Sequence, residues 1–187
     1  MFRSDNILQL LCVIRIRIQI RSNTGDGVMF KNKMVDALSH VEVFEGLAQD
    51  DLKIISKHCK RISFEEGDTL VEIGMRPSAL YTLLRGQLRV FLPKQIKGKK
   101  EHRVSEINLN ILNKGDCFGE YSLIEKMPAS ASVAGVESGE VLKITDDGFD
   151  RIMANDRVAK TVYYNLLHVL IKRLRKKEQE LDMVLVA

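Results

Sequence analysis

Between Ile62 and Ile144 the chain is a succession of short strand-like runs, each closed by a turn signal, and this pattern limits the fold more than any other feature. The runs are "RISFE", "TLVEI", "ALYTLLR", "QLRVFL", "HRVSEINLNIL", "ASVAGVE" and "EVLKI". Between them lie "EGD" at 66–68, "GMRP" at 74–77, Gly86, "PKQIKGKK" at 93–100, "NKGD" at 113–116 and "SG" at 138–139. Many short strands at this spacing, with no helix-length segments among them, specify a small sandwich or barrel and not a parallel sheet with crossover helices. The alternation of Leu88, Val90 and Leu92 with Gln87, Arg89 and Phe91 predicts one inward and one outward face.

Helical patterns flank this region. "MVDALSHVEVF" carries Val35, Leu38, Val41, Val43 and Phe44, a short amphipathic helix running into a turn at Gly46. "AQDDLKIISKHCK" puts Leu52, Ile55 and Cys59 on one helix face, with Asp50 and Asp51 in the first turn, where the helix dipole favours carboxylates. Thr145 is an N-cap for "DGFDRIMAN". From about Arg157 to Leu185 the period is that of one long helix with two apolar stripes. Val158, Val162, Leu166 and Val169 form one; Tyr163, Leu167, Leu170, Leu174, Leu181 and Val184 form the other, interrupted at Lys177. The first is expected to pack on the chain's own domain and the second to meet another copy in a homodimer.

The apolar fraction of 45% with 29% charged residues fits a globular protein, and the net charge of +4 is too small to imply a polyanion partner. The basic run "KRLRKK", Lys172 to Lys177, reads as a solvated helix face. Cys12, Cys59 and Cys117 are odd in number and far apart, which fits reduced thiols in a cytoplasmic protein. His40, His58, His102 and His168 have no metal-ligand spacing, so no metal site is expected. The run "ILQLLCVI" is too short to span a bilayer, and residues 1–33 read as a leader, either a poorly ordered or non-native stretch or an edge strand alternating Ile16, Ile18 and Ile20 with arginines. Residues 34–155 then form the β-barrel domain with its first helices, and 156–187 the long helix.

Four landmarks in order carry a resemblance: "FEGL" at 44–47, "FEEGDTLVEIG" at 64–74, "LYTLLRGQLRV" at 80–90 and "LNKGDCFGEYSLIEKMPASASVAG" at 112–135. On these the chain resembles the cyclic nucleotide-binding domains of catabolite-activator-type regulators and of the regulatory subunits of cyclic-AMP-dependent kinase, over about Leu38 to Leu174. The resemblance implies a mainly β fold with flanking helices, a double-stranded β-helix or jelly-roll barrel, followed by a long C-terminal helix. It implies cyclic AMP or cyclic GMP as ligand, with no required cofactor. Gly74 and Gly86 would serve tight reversals between strands, and Gly119 a close approach of backbone to ligand or a tight turn. A helix starting near Tyr121 would aim free amides at an anion. Glu120, the acid of the family's F-G-E, would accept a hydrogen bond from the ribose 2′-hydroxyl, and Gly119, Tyr121, Ser122, Ser130, Ala131 and Ser132 would line the ligand site.

One letter departs from that pattern. The family's cassette continues P-R-A-A-T or P-R-S-A, its arginine gripping the cyclic phosphate, whereas this chain has Pro128, Ala129, Ser130, Ala131, Ser132. Loss of a charge-assisted hydrogen bond costs about 1.5–3 kcal/mol, or roughly ten- to several-hundred-fold in affinity. Lys126, Arg76 or a lysine of the 94–100 hairpin could replace the cation, or each is a solvated surface charge. Ser130 and Ser132 could donate hydroxyl bonds to the ligand, or be small residues that let a helix close onto a strand; Tyr121 reads better as packing than as a ligand contact. Two functions stand: a non-catalytic sensor with weak or altered nucleotide binding, or a degenerate domain serving protein–protein contact. No helix-turn-helix follows the long helix, so direct DNA binding is not expected, and no P-loop, nucleophile elbow or zinc-protease motif supports an enzyme.

Overall fold

The computed structural model describes residues 27–76, 79–95 and 103–186. Cys12, the proposed leader strand, Lys97, Lys99 and Lys100 of the 94–100 hairpin, and His102 lie outside the described residues.

The described residues begin with α1 (Gly27–Ser39), a 3-10 turn (Glu42–Phe44) and α2 (Gln49–Ser56). The strands follow as β1 (Cys59–Phe64), β2 (Thr69–Val71), β3 (Ala79–Leu92), β4 (Ile107–Leu112), β5 (Cys117–Phe118) and β6 (Ser132–Thr145), with the short α3 (Glu120–Glu125) between the last two. Helices α4 (Asp146–Met153) and α5 (Asp156–Val186) close the chain. The sheet is antiparallel, in the order β1-β6-β3-β4, with β2 added to β6 and β5 to β3.

Two expectations about turns are corrected. Gly86 and Ser138–Gly139 do not reverse the chain: they lie inside the two longest strands, β3 and β6, which pair with each other from Ala79↔Thr145 to Phe91↔Ser132. The register shifts between Leu83 and Arg85 and again around Gln87, so the glycines mark a bulge and bend. The reason is space as much as φ. A Cβ on Gly86 would lie 2.6 Å from the Ser138 carbonyl oxygen, and one on Gly139 would lie 2.0 Å from that of Arg85. Only two glycines let these backbones cross so closely.

The alternation along β3 also breaks where the ladder does. Leu88 is buried as expected, but so is Phe91, because the pairing with β4 shifts between Val90 and Phe91. The Arg89 guanidinium covers the Phe91 ring at 4.1 Å from its centroid. Cys59 belongs to β1 and not to the preceding helix, which ends at Ser56; its thiol still donates to the Ile55 carbonyl at 3.3 Å. The helix of the first amphipathic segment begins at Gly27, earlier than Met34.

Two apolar layers result. Inside the barrel, Phe64, Tyr81, Leu83, Leu88, Phe118 and Val141 pack together, with the Tyr81 and Phe118 rings stacked at 4.9 Å. On the outside, Leu80, Leu142 and Ile144, from the opposite face of the same strands, meet Leu38, Phe44, Leu52 and Ile55 of the leading helices. The stripe Val158, Val162, Leu166 and Val169 completes that outer layer and is buried throughout. Thr145 caps α4 by accepting from the Gly148 amide at 3.2 Å, and Asn155 Oδ1 accepts from the Arg157 and Val158 amides at the start of α5.

Candidate functional site

Helix α5 runs on from the outer layer across the mouth of the barrel, and beneath it is a cavity of about 320 Å³. Its walls are largely apolar: Val71, Val90, Leu112, Phe118 and Val133 from the barrel, with Leu170 and Leu174 from α5. Gly119, Glu120, Tyr121, Ser122, Ala129, Ser130 and Ala131 line it from the cassette segment.

Gly119 sets the floor. It precedes α3 with φ +88°, and a Cβ there would stand 2.4 Å from the Ala79 carbonyl oxygen. The close contact is therefore with β3, and it turns the next residue, Glu120, inward. Glu120 is 2% exposed although it carries a carboxylate. Burial pushes its carboxyl above the usual range, while the Arg173 guanidinium and the residue's own amide pull it back.

Arg173 is the partner that sequence reasoning missed. It comes from α5, 53 residues away, and donates through Nη1 to Glu120 Oε1 and through Nη2 to the Cys117 carbonyl. Its side chain is itself largely covered and lines the cavity. The local signal was the basic run from Lys172 to Lys177. Within it Arg173 falls one turn after Leu170 and beside Leu174, on the side of the helix that faces the barrel. Lys176 and Lys177 also border the cavity, Lys177 donating to the Leu109 carbonyl at 2.9 Å. Every cation on the lining thus comes from α5, and none from the cassette.

The other named residues separate into those that reach the cavity and those that do not. Ser122 is buried and donates to the Gly119 carbonyl at 3.1 Å; Tyr121 is half exposed at the rim. Ser132 is absent from the lining, and its hydroxyl accepts from the Ile73 amide at 3.0 Å. Lys126 is exposed, in a left-handed conformation that ends α3, and pairs with Asp146. Arg76 is exposed on the turn after Gly74 and does not line the cavity. Ala129 is zipped to that same turn: its amide donates to the Met75 carbonyl at 2.7 Å and its carbonyl accepts from the Gly74 amide at 2.8 Å. Its methyl packs against the inner core. Among the described residues no cluster of His, Cys, Asp or Glu could hold a metal.

A family model for the cyclic nucleotide-binding domain matches residues 61–156, which take in the sheet, the cavity-lining cassette and α4, and the chain belongs to that family. Among its relatives, the cyclic AMP receptor protein of Thermus thermophilus is 30% identical over 142 residues, which are 76% of this chain and 61% of that protein. The cAMP-dependent protein kinase regulatory subunit of Aspergillus fumigatus is 28% identical over 139 residues, 73% of this chain and 31% of that one. The chain therefore spans less than two thirds of either relative. A crystal structure of a cyclic nucleotide-binding domain from Methylobacillus flagellatus superposes with a TM-score of 0.67 at 18% identity, covering 81% of this chain and 82% of that one, and shares the fold. Domains of this family bind cyclic AMP or cyclic GMP in a regulatory role. No described helix is long and apolar enough to cross a membrane.

Proposed function

We propose that this chain is a non-catalytic cyclic nucleotide sensor whose cassette no longer supplies the phosphate's counter-charge, so that its affinity or ligand preference departs from that of its relatives. The observation that carries this reading is Glu120: a carboxylate 2% exposed, facing an apolar cavity from the position where the family's acid meets the ribose 2′-hydroxyl. Burying a carboxylate is costly and serves no packing purpose, whereas an acceptor beside a ligand hydroxyl has a use for it. Gly119, Tyr121, Ser122, Ser130 and Ala131 complete the ligand wall in this reading, and Ser132 holds the cassette to the turn at Ile73. Free Cys59 and Cys117 agree with a cytoplasmic setting.

Calorimetry with cyclic AMP and cyclic GMP on the wild type and on Ala129→Arg tests it. Binding by the wild type supports the reading, with the variant expected to be tighter. A silent wild type beside a binding variant shows an intact cavity that has lost its counter-charge and favours a degenerate domain. Silence from both overturns the reading and favours a degenerate interaction module.

Homodimerisation through α5 belongs to the same proposal. Tyr163, Leu167, Leu174 and Leu181 are each about half exposed or more, a stripe of apolar side chains with no cover in the single chain. Sedimentation equilibrium of the wild type should give a dimer, and Leu181→Asp a shift toward monomer. A wild-type monomer at high micromolar concentration removes the dimer from the proposal and leaves the nucleotide site untouched.

A further inference from the structure

The cavity contains the charge that the cassette lacks, but it arrives from the opposite wall. Arg173 faces the cavity with its side chain 28% exposed, pairs with the carboxylate assigned to the ribose, and keeps donors to spare: a guanidinium has five, and the contacts to Glu120 and to the carbonyl and sulfur of Cys117 use three. On the cassette wall, Ala129 presents only a methyl.

We propose that Arg173, reaching from α5, is the residue that meets the nucleotide's cyclic phosphate in place of the cassette arginine. The inference rests on the cyclic nucleotide reading of the cavity given above. It follows from the chemistry of the ligand. In a 3′,5′-cyclic nucleotide the 2′-hydroxyl and the 3′-phosphate ester sit on neighbouring carbons of one ribose, a hydrogen-bond donor beside an anion. Glu120 and Arg173 form the complementary pair, an acceptor beside a cation, already in contact, with the carboxylate buried and the guanidinium partly covered. A planar fork can hold carboxylate on one edge and phosphate on the other, which a lysine ammonium cannot do as well. Lys126 is turned to Asp146, and Arg76 is off the lining, so neither competes from its observed position. Lys177, at the same rim, is engaged with Glu180 and the Leu109 carbonyl.

The consequence is a different wiring of ligand to output. In this arrangement the phosphate is tied to the lid helix itself, so the element that closes over the ligand is also the one that binds its charge.

The test is calorimetric titration of cyclic AMP and cyclic GMP into wild type, Arg173→Gln, Ala129→Arg and the double variant Ala129→Arg/Arg173→Gln, with Lys126→Ala as a control. Glutamine keeps a donor for Glu120 and removes the charge. The expected result is wild-type binding, a loss of roughly ten- to a hundredfold in Arg173→Gln, recovery in the double variant, and no change in Lys126→Ala. Equal affinity of wild type and Arg173→Gln overturns the inference and leaves the nucleotide reading intact. A silent wild type beside a binding Ala129→Arg overturns both and leaves a cavity that has lost its counter-charge. Silence from wild type and Ala129→Arg together overturns both. Should Arg173→Gln fail to fold, Arg173→Lys decides: it retains the charge on Glu120 but divides one ammonium between two partners. A several-fold weakening is expected, and unchanged affinity overturns the inference.

Discussion

The two halves of α5 are built on different physics. From Asp156 to Val169 the helix is held by shape: Val158, Val162, Leu166 and Val169 are buried against the outer face of the sheet and the leading helices. From Leu170 onward none of the side chains described is buried, and the helix is attached by charge and hydrogen bonds, Lys172 to Glu42, Arg173 to Glu120 and Lys177 to the Leu109 carbonyl. Apolar burial is non-directional and hard to undo locally, whereas polar contacts exchange readily for water or ligand groups. The first half is thus an anchor, and the second half a lever held by contacts that exchange more readily.

The sharpest way to break this contrast is to cut the same kind of atom from each half. Leu166→Ala removes a side chain 1% exposed and should cost about 2–5 kcal/mol in urea unfolding. Leu181→Ala, on a side chain 60% exposed, should stay within about 0.5 kcal/mol when measured at concentrations that hold the chain monomeric. Comparable losses at the two sites would mean that the distal half is packed in solution after all.

The polar contacts of the two halves should differ in the same sense. Asp51 on α2 is 3% exposed and has one oxygen, Oδ2, with no partner, so its bond to Arg157 at 2.6 Å is the carboxylate's main compensation. Arg157→Ala should destabilise by about 1–3 kcal/mol, and the exposed Lys172→Ala by clearly less. Denaturation curves for the pair would order them.

A smaller effect sharpens the picture at the lever's tip. Burial holds the Glu120 carboxyl above its usual 4.5, so between that value and the raised one the native state carries a proton that the unfolded chain has released. That contribution is fully present below the unfolded value and is lost as pH rises through the folded one. The stability of wild type minus that of Glu120→Gln should accordingly fall as pH rises through this window and be level on either side; a flat difference would show that Arg173 fully offsets the burial.

Smallest in energy, though simple to read, is thiol reactivity. Burial pushes Cys59 and Cys117 up to about 12, so neither should react with a thiolate-seeking reagent at pH 8 in the folded protein. Cys117 lies directly under Arg173, whose Nη2 approaches its sulfur at 3.9 Å. Faster labelling of Cys117 than of Cys59 on adding nucleotide would report movement of the lever.

Much of the fold was legible because its signals are local. The strand-rich middle, most of its turns, the Thr145 cap and the buried stripe of α5 each follow from a few neighbouring residues and have counterparts in the structure. The cassette was legible as a segment too: its Gly119 and Glu120 line the cavity, and the letter that departs from the family's pattern is Ala129. Gly86 and Gly139 misled, because a glycine that permits a reversal and one that permits two backbones to cross leave the same letter in the sequence. Likewise "KRLRKK" read as a solvated face, and all but one of its cations have substantial exposure. Which one turns inward depends on the path of α5 over the barrel, set by four apolar residues more than a turn earlier and by the sheet they rest on. Periodicity places a side chain on a helix face; only the packed tertiary structure decides that this face meets a buried carboxylate 53 residues back along the chain.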